Sequence, residues 1–261
     1  MGYVDIHGHY AWDIDDGIST KNEAEQALAL AREQGISDIV ATPHFTSGFM
    51  SSDIKDIALD RINELKELAR QFDINVYSGC ELMLNENSTE VVEKDLFLPI
   101  ENTHYVLCEY NVIKPTDSFM EHFDDYLRAI IKKGYIPIVA HIERYFHSVL
   151  DIDYVQYLID LGCVIQANTT SILDKHSLHH KNAMTLLDRN MVHVIGTDTH
   201  RAQGGRIPNM QECYKYLVKY GYPKAYCQLL MDENAHQILL DKPITHPKYR
   251  RHLIKKMLHH K

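Results

Sequence analysis

The stretch Tyr3-Val-Asp-Ile-His7-Gly-His9-Tyr-Ala-Trp-Asp-Ile-Asp-Asp16-Gly17 decides how the rest of the chain is read. Val4 and Ile6 alternate with Asp5 and His7, the pattern of a short strand with one apolar face. Residues two apart on a strand share a face, so His7 and His9 project together from its C-terminal end. Two imidazoles there, with Asp13, Asp15 and Asp16 just downstream, are the beginning of a divalent-metal site. A His-x-His pair alone is equally compatible with surface or core histidines, so the other strands must decide.

Six further apolar segments follow, at Asp38–Thr42, Asn75–Gly79, Tyr105–Glu109, Ile136–Ala140, Val164–Asn168 and Val192–Gly196. Helical patterns separate most of them. Thr20-x-x-Glu23 is a capping box, followed by the stripe Ala24, Ala27, Leu28 and Ala31 and closed at Gly35. Ile54–Arg70 carries Ile54, Ile57, Ala58, Leu65 and Leu68, and the helices Phe119–Lys133 and Tyr154–Leu161 end at Gly134 and Gly162. Strands alternating with helices imply parallel pairing and right-handed crossovers. Seven such units predict an α/β fold, a closed or nearly closed barrel in preference to an open sheet. The chain reads as one domain over residues 1–261, ending in a basic tail at 246–261.

The residues able to hold a metal fall at the C-terminal ends of these strands. His7 and His9 close the first, with Asp16 in the loop beyond; His44 follows the second, Glu81 the third, and Glu109 ends the fourth; His141, with Arg144, follows the fifth, and Asp198 and His200 the seventh. In a β/α barrel those ends meet at one face, where active sites lie. Any one of these residues has an innocent reading as a cap or a core histidine. Coincidence on six of seven strands does not.

These motifs resemble the polymerase-and-histidinol-phosphatase (PHP) superfamily, on His7-Gly-His9, Thr42-Pro-His44, Glu81, His141 and Asp198-Thr-His200 in order. Asp15-Asp16-Gly17, His141-Ile-Glu-Arg144-Tyr145 and Gly205-Arg206-Ile-Pro208 are most similar to one branch, the bacterial manganese-dependent protein-tyrosine phosphatases of capsular and exopolysaccharide gene clusters. The resemblance implies a distorted (β/α)7 TIM-like barrel. It implies one metal held by His7, His9, Glu81 and Asp198, a second by Glu81, Glu109 and His141, and a third by Asp16, His44 and His200. Arg144 and Arg206 would bind phosphate, a metal-bridging hydroxide would be the nucleophile, and a tyrosine-phosphorylated kinase of polysaccharide export would be the substrate. Manganese is favoured, two or three ions per chain; the oxygen and nitrogen donors also suit iron or zinc. Gly8 stands where relatives often carry a small polar residue. The alternatives on the same site are a histidinol-phosphate or other small-molecule phosphatase, and a non-catalytic metal-binding module.

Composition restricts the other classes. Hydrophobic residues make up 45% and charged residues 24%, as in globular proteins. No run approaches the roughly 18 apolar residues of a membrane span, and Asp5, His7 and His9 interrupt any signal-peptide pattern. The net charge is −9, and the tail holds six of the 27 basic residues and no acidic one, leaving 21 against 36 elsewhere. Such a body is a poor nucleic-acid binder. Five widely spaced cysteines suit reduced thiols and a cytoplasmic location. None begins a Cys-x5-Arg loop, so the nucleophile is not expected to be a thiol, and Cys80 and Cys108 read as core residues. Tyr10, Trp12, Phe45, Phe49 and Tyr145 could line a mouth for a phosphotyrosine ring, or simply pack the rim. His179, His180, His259 and His260 read as solvated. Tyr249, Leu253, Met257, Ile254 and Leu258 place a helical stripe in the tail, read as docking on the acidic body or, alternatively, on a partner or membrane.

Overall fold

The computed structural model of the chain describes residues 2–110, 112 and 122–249. The strands are β1 (Tyr3–Gly8), β2 (Ile36–Ala41), β3 (His44–Thr46), β4 (Asn75–Ser78), β5 (Glu81–Leu84), β6 (Tyr105–Tyr110), β7 (Ile136–Val139), β8 (Val164–Asn168) and β9 (Val194–Gly196). All pairings are parallel, β1-β2-β4 in one sheet and β3-β5-β6-β7-β8-β9 in the other. The seven expected strands become nine because two of them break. β2 continues into β3 beyond Thr42-Pro43, where proline lacks the N–H a ladder needs, and β4 continues into β5 beyond Gly79-Cys80. His44 and Glu81 therefore begin strands of their own instead of lying in loops.

The two sheets join into one circuit. Glu81 N–H donates to Pro43 O at 3.0 Å, and Thr42 N–H to Gly8 O at 2.9 Å. At the other edge Asp198 N–H donates to His7 O and His9 N–H to Thr199 O, both at 2.8 Å, bringing the end of β9 against β1. Val4, Ile6, Val40, Leu107, Ile138 and Val194, from strands all round this circuit, form one buried cluster inside it. The other strand faces pack against the helices in a second, larger cluster. In β1 the steps from Asp5 to Gly8 oppose only Ile39 to Ala41, a bulge that breaks the two-residue alternation.

The helices follow from local chemistry. Thr20 caps α1 (Lys21–Glu33) by accepting from Glu23 N–H at 3.2 Å, while the Glu23 carboxylate reaches Ser19 and not the cap itself. Gly35 closes it at φ +77. Ser51 caps α2 (Ser52–Ala69), which buries Ala58, Ile62, Leu65, Leu68 and Ala69. Ile54 and Ile57, expected in its buried stripe, are 43% and 60% exposed, because the apolar face of this helix meets the barrel only from its second turn. Then come α3 (Ser88–Glu93), α4 (Phe123–Lys132), α5 (Ile152–Asp160), α6 (Thr169–Leu173), α7 (Leu178–Asp188) and α8 (Met210–Tyr220). Residues 119–121 of the expected Phe119–Lys133 helix and residues 250–261 of the tail, with its expected stripe and His259 and His260, lie outside the described residues. Tyr249 packs against the Tyr222 and Tyr226 rings and exchanges two 2.7 Å hydrogen bonds with Asn190.

A buried histidine supports the tail's first residues. His193 Nδ1 accepts from Ile165 N–H at 2.9 Å, and its Nε2 lies 3.1 Å from His246 Nδ1. Burial, with His246 alongside, lowers its pKa to about 4. The neutral ring therefore contributes stability that is complete above the unfolded value near 6.5 and lost as pH falls through the folded one. About 3 kcal/mol is the upper scale of that loss. Urea unfolding of His193→Gln should show a flatter pH dependence than the parent between pH 7 and pH 4; parallel curves would remove His193 as the cause.

Candidate metal centre

Eight of the nine expected residues meet at the C-terminal ends of the strands in overlapping groups: His7, His9, Glu81 and Asp198; His44, Glu81 and Glu109; and His9, Asp16, His44 and His200; the ninth, His141, joins them through Glu81 and Glu109. The first group has the shape of a coordination shell. His7 Nε2 lies 3.2 Å from Glu81 Oε2 and 3.3 Å from Asp198 Oδ1; His9 Nε2 lies 3.2 and 3.6 Å from the same two atoms. The two Nε2 atoms are 3.4 Å apart. Five edges of this length belong to a tetrahedron whose centre is about 2.0–2.2 Å from each corner, a metal–nitrogen or metal–oxygen bond length.

His44 Nδ1 lies 3.2 Å from Glu81 Oε2 and 3.1 Å from Glu109 Oε1, yet none of the three atoms has a hydrogen-bond partner. His141 Nδ1 and His200 Nε2 are buried and unpaired as well. Unsatisfied buried groups cost about 1–3 kcal/mol each, so the four orphaned atoms that meet here, His44 Nδ1, Glu81 Oε2, Glu109 Oε1 and His200 Nε2, fit residues shaped for cations. His141 Nε2 meets Glu81 Oε1 at 2.8 Å and Glu109 Oε2 at 3.5 Å. The grouping differs from the expected one in that His44 reaches the Glu81–Glu109 pair and His9 also stands in the Asp16 group, 3.9 Å from the His200 ring.

The electrostatics describe a site that shares protons. Burial alone would lower the pKa of His44, but Glu81, Asp16 and Glu109 hold it up at about 12. His9 is likewise buried, and Asp15 holds it at about 9. Burial would raise Glu81, yet His7, His44 and His141 keep it well below the ordinary carboxylate range. His200, buried beside His9, is pushed down to about 3.

Four side chains outside the expected set orient the cluster. Asp15 Oδ2 accepts from His9 Nδ1 at 2.7 Å and from His44 N–H at 2.8 Å, which turns His9 Nε2 towards Glu81 and Asp198. Gln166 Oε1 accepts from His141 N–H at 2.7 Å and faces His7 Nδ1 at 3.3 Å. Asn168 Nδ2 donates to Asp198 Oδ2 at 2.7 Å, and Asp5, fully buried, accepts from Thr197 N–H at 2.9 Å. Asp15 stands inside the quoted motif, so its acidity was a signal. Gln166 and Asn168 carry none, being polar residues in an otherwise apolar strand. Asp13, which the motif also suggested, is exposed. Asp15→Asn should lower Mn²⁺ affinity about 10–100-fold with little change in fold; titration of the chelator-stripped chain would measure it, and unchanged affinity would count Asp15 out.

Three site residues sit in strained backbone. His141, Asp198 and Arg206 adopt φ of 32, 55 and 56, the left-handed region that costs a non-glycine residue about 1–3 kcal/mol. Gly8 is required by crowding: a Cβ there would run into the Tyr10 ring.

Arg144 Nη1 lies 3.2 Å from Asp198 Oδ2 and Arg206 Nη2 2.7 Å from Asp198 Oδ1. Arg206 is brought there by a turn in which Arg206 O accepts from His200 N–H at 2.8 Å. The aromatic mouth does not form as a set. Tyr10, Trp12, Phe45 and Tyr145 are buried in the core, and only Phe49, 77% exposed, is free to meet a ligand. His179 and His180 are half-buried and not solvated: His180 Nδ1 bonds Ile172 O at 2.7 Å, and His179 lines a cleft with Arg144 and Arg206. All five cysteines are free and buried, and burial pushes the Cys80 thiol up to about 12, which excludes a ready thiolate.

The chain matches a family model for capsular polysaccharide synthesis proteins, CpsB/CapC, over residues 3–240. It is 30% identical over 250 residues to tyrosine-protein phosphatase CpsB of Streptococcus pneumoniae, covering 92% of this chain and 100% of that protein. Its fold is similar to one from the crystal structures of YwqE from Bacillus subtilis and CpsB from Streptococcus pneumoniae, described as unique metal-dependent tyrosine phosphatases. The TM-score is 0.76 at 23% identity, over 95% of this chain and 98% of that one. Histidinol phosphate phosphatase from Lactococcus lactis, solved with zinc, L-histidinol and phosphate, shares the fold at a TM-score of 0.56 and 14% identity, over 85% and 95% of the two chains.

Proposed function

This chain belongs to the CpsB/CapC family of capsular polysaccharide synthesis, and we propose that it is a metal-dependent protein-tyrosine phosphatase. The observation that carries the reading is the placing of two guanidinium groups against Asp198, at the rim of a cluster of orphaned imidazole and carboxylate donors. A phosphate monoester is a dianion, and forked guanidiniums neutralise and orient its oxygens. The likeness to CpsB along nearly the whole chain supports tyrosyl phosphate as the substrate.

In this reading His7, His9, Asp16, His44, Glu81, Glu109, His141, Asp198 and His200 hold two or three ions; the family resemblance favours Mn²⁺, and the oxygen and nitrogen donors suit iron or zinc as well. Bound there, such ions would lower the pKa of a water and supply hydroxide at neutral pH. Arg144 and Arg206 bind the phosphoryl group and hold its ester bond in line. The protein substrate is a tyrosine-phosphorylated kinase of polysaccharide export, met in the cytoplasm. Among the described residues no helix is long and apolar enough to cross a membrane. Phosphate release by the chelator-stripped chain with Mn²⁺ restored, from a phosphotyrosyl peptide and from histidinol phosphate, tests the reading. Higher kcat/KM on the peptide supports it; preference for histidinol phosphate, or no release from either, overturns it.

A further inference from the structure

Arg144 and Arg206 line two cavities. One, of about 500 Å³, also exposes Asp16, His44, Glu109 and His141. The other, of about 310 Å³, shares the two guanidiniums, touches the cluster only at Asp198, and is otherwise lined by residues such as Asn168, Thr170, Asp174 and His179. A phosphoryl group held between the two arginines therefore has the carboxylate–imidazole cluster on one side and this second cleft on the other. In-line displacement at phosphorus places the leaving oxygen opposite the incoming one. With the nucleophile on the cluster side, the ester oxygen and the group it carries face the second cleft.

We propose that His179 is a catalytic residue of that leaving side: its imidazole N–H donates a hydrogen bond to the tyrosyl ester oxygen, and the ring of the substrate tyrosine occupies the cleft beside it. The proposal rests on the phosphatase reading given above. It follows from which donors in the cleft are free. Asn168 spends its amide on Asp198, and Ser177 spends its hydroxyl on Asp174 O while accepting from His180 N–H. Thr170 Oγ1 and Arg206 Nε are buried there without any partner, as expected of a surface completed by a ligand. His179 stands in the first turn of α7, half-buried. Burial, then Arg144 and His147, lowers its pKa, so the ring near pH 7 is neutral and carries one N–H. As the phosphorus–oxygen bond breaks, its electron pair passes to the tyrosyl oxygen. The His179 N–H stabilises that charge, and the phenolate takes its proton from water. A donor aimed at charge that develops only in the transition state acts on rate.

The test compares leaving groups in the metal-loaded full chain. Tyrosine leaves as a poor phenolate, whereas p-nitrophenolate needs little stabilisation. His179→Ala should lower kcat/KM for a phosphotyrosyl peptide about 100-fold and for p-nitrophenyl phosphate only about threefold. Metal content and inhibition by inorganic phosphate should stay at the parent's values. His179→Phe, which keeps a ring in the cleft but removes the N–H, should behave like the alanine variant. Equal losses on both substrates, or full activity of either variant on the peptide, overturn the role of His179. If the parent itself fails to release phosphate from the peptide while hydrolysing p-nitrophenyl phosphate, the tyrosine phosphatase reading fails first, and that failure shows in the parent alone.

Discussion

Glu81→Gln is expected to abolish metal-dependent turnover. One carboxylate stands at the junction of the cluster: Oε2 lies 3.2 Å from the donor nitrogens of His7, His9 and His44, and Oε1 lies 2.8 Å from His141. Among the described residues, no other belongs to both the tetrahedral group and the Glu109 group. The amide of glutamine keeps the volume but brings no charge, and one of its two ends is a donor that repels a cation. Loss of ions that stabilise both attacking and leaving oxygens should lower kcat/KM by at least about a thousandfold. Elemental analysis of the purified variant should find it short of metal, and excess Mn²⁺ should not restore the rate. A variant retaining the parent's metal content and activity would exclude Glu81 as a shared ligand.

Arg206→Ala should separate phosphate binding from metal binding. Its guanidinium sits 2.7 Å from Asp198 Oδ1, the oxygen that also faces His7 and His9. His7 and the two arginines share the Asp198 carboxylate, which is held well below the ordinary range, against burial, by His7 first and Arg206 next. Removing Arg206 leaves Asp198 paired with Arg144 and Asn168, so the cluster should persist. What disappears is one of two charged forks on the substrate, a loss of about 100–1000-fold in kcat/KM. Arg206→Lys should recover only part of it, since an ammonium cannot bond two oxygens in one plane. Metal content equal to the parent's with unaltered kcat and KM would take Arg206 out of the site.

The location of the cluster was legible because metal ligands are chemically rare in cores and recur at a rare position, just past successive apolar segments. His7, His44, Glu81, Glu109, His141 and Asp198 each follow such a segment, and a barrel brings segment ends together whatever the details of each turn. The strands that restart after Thr42-Pro43 and Gly79-Cys80 leave no mark in the sequence, since a short β-segment after a kink has too few residues to show alternation. Aromatic residues misled for a related reason. Tyr10, Phe45 and Tyr145 lie next to ligands in the chain, but their rings belong to the helix-side core, and composition does not report on which side of a wall a ring falls.

The order of strands and helices and the polar chemistry of the site were determined by the amino-acid sequence, because each depends on local periodicity or on residue type. Only the tertiary structure decided which donor atoms come together, since that depends on distances between residues such as His7 and Asp198 that are far apart in the chain. The orienting roles of Gln166 and Asn168 and the cleft holding His179 were decided there too. A hydrogen bond of 2.7 Å between β8 and the loop after β9 has no counterpart in local pattern, because it exists only once the barrel has brought those strands side by side.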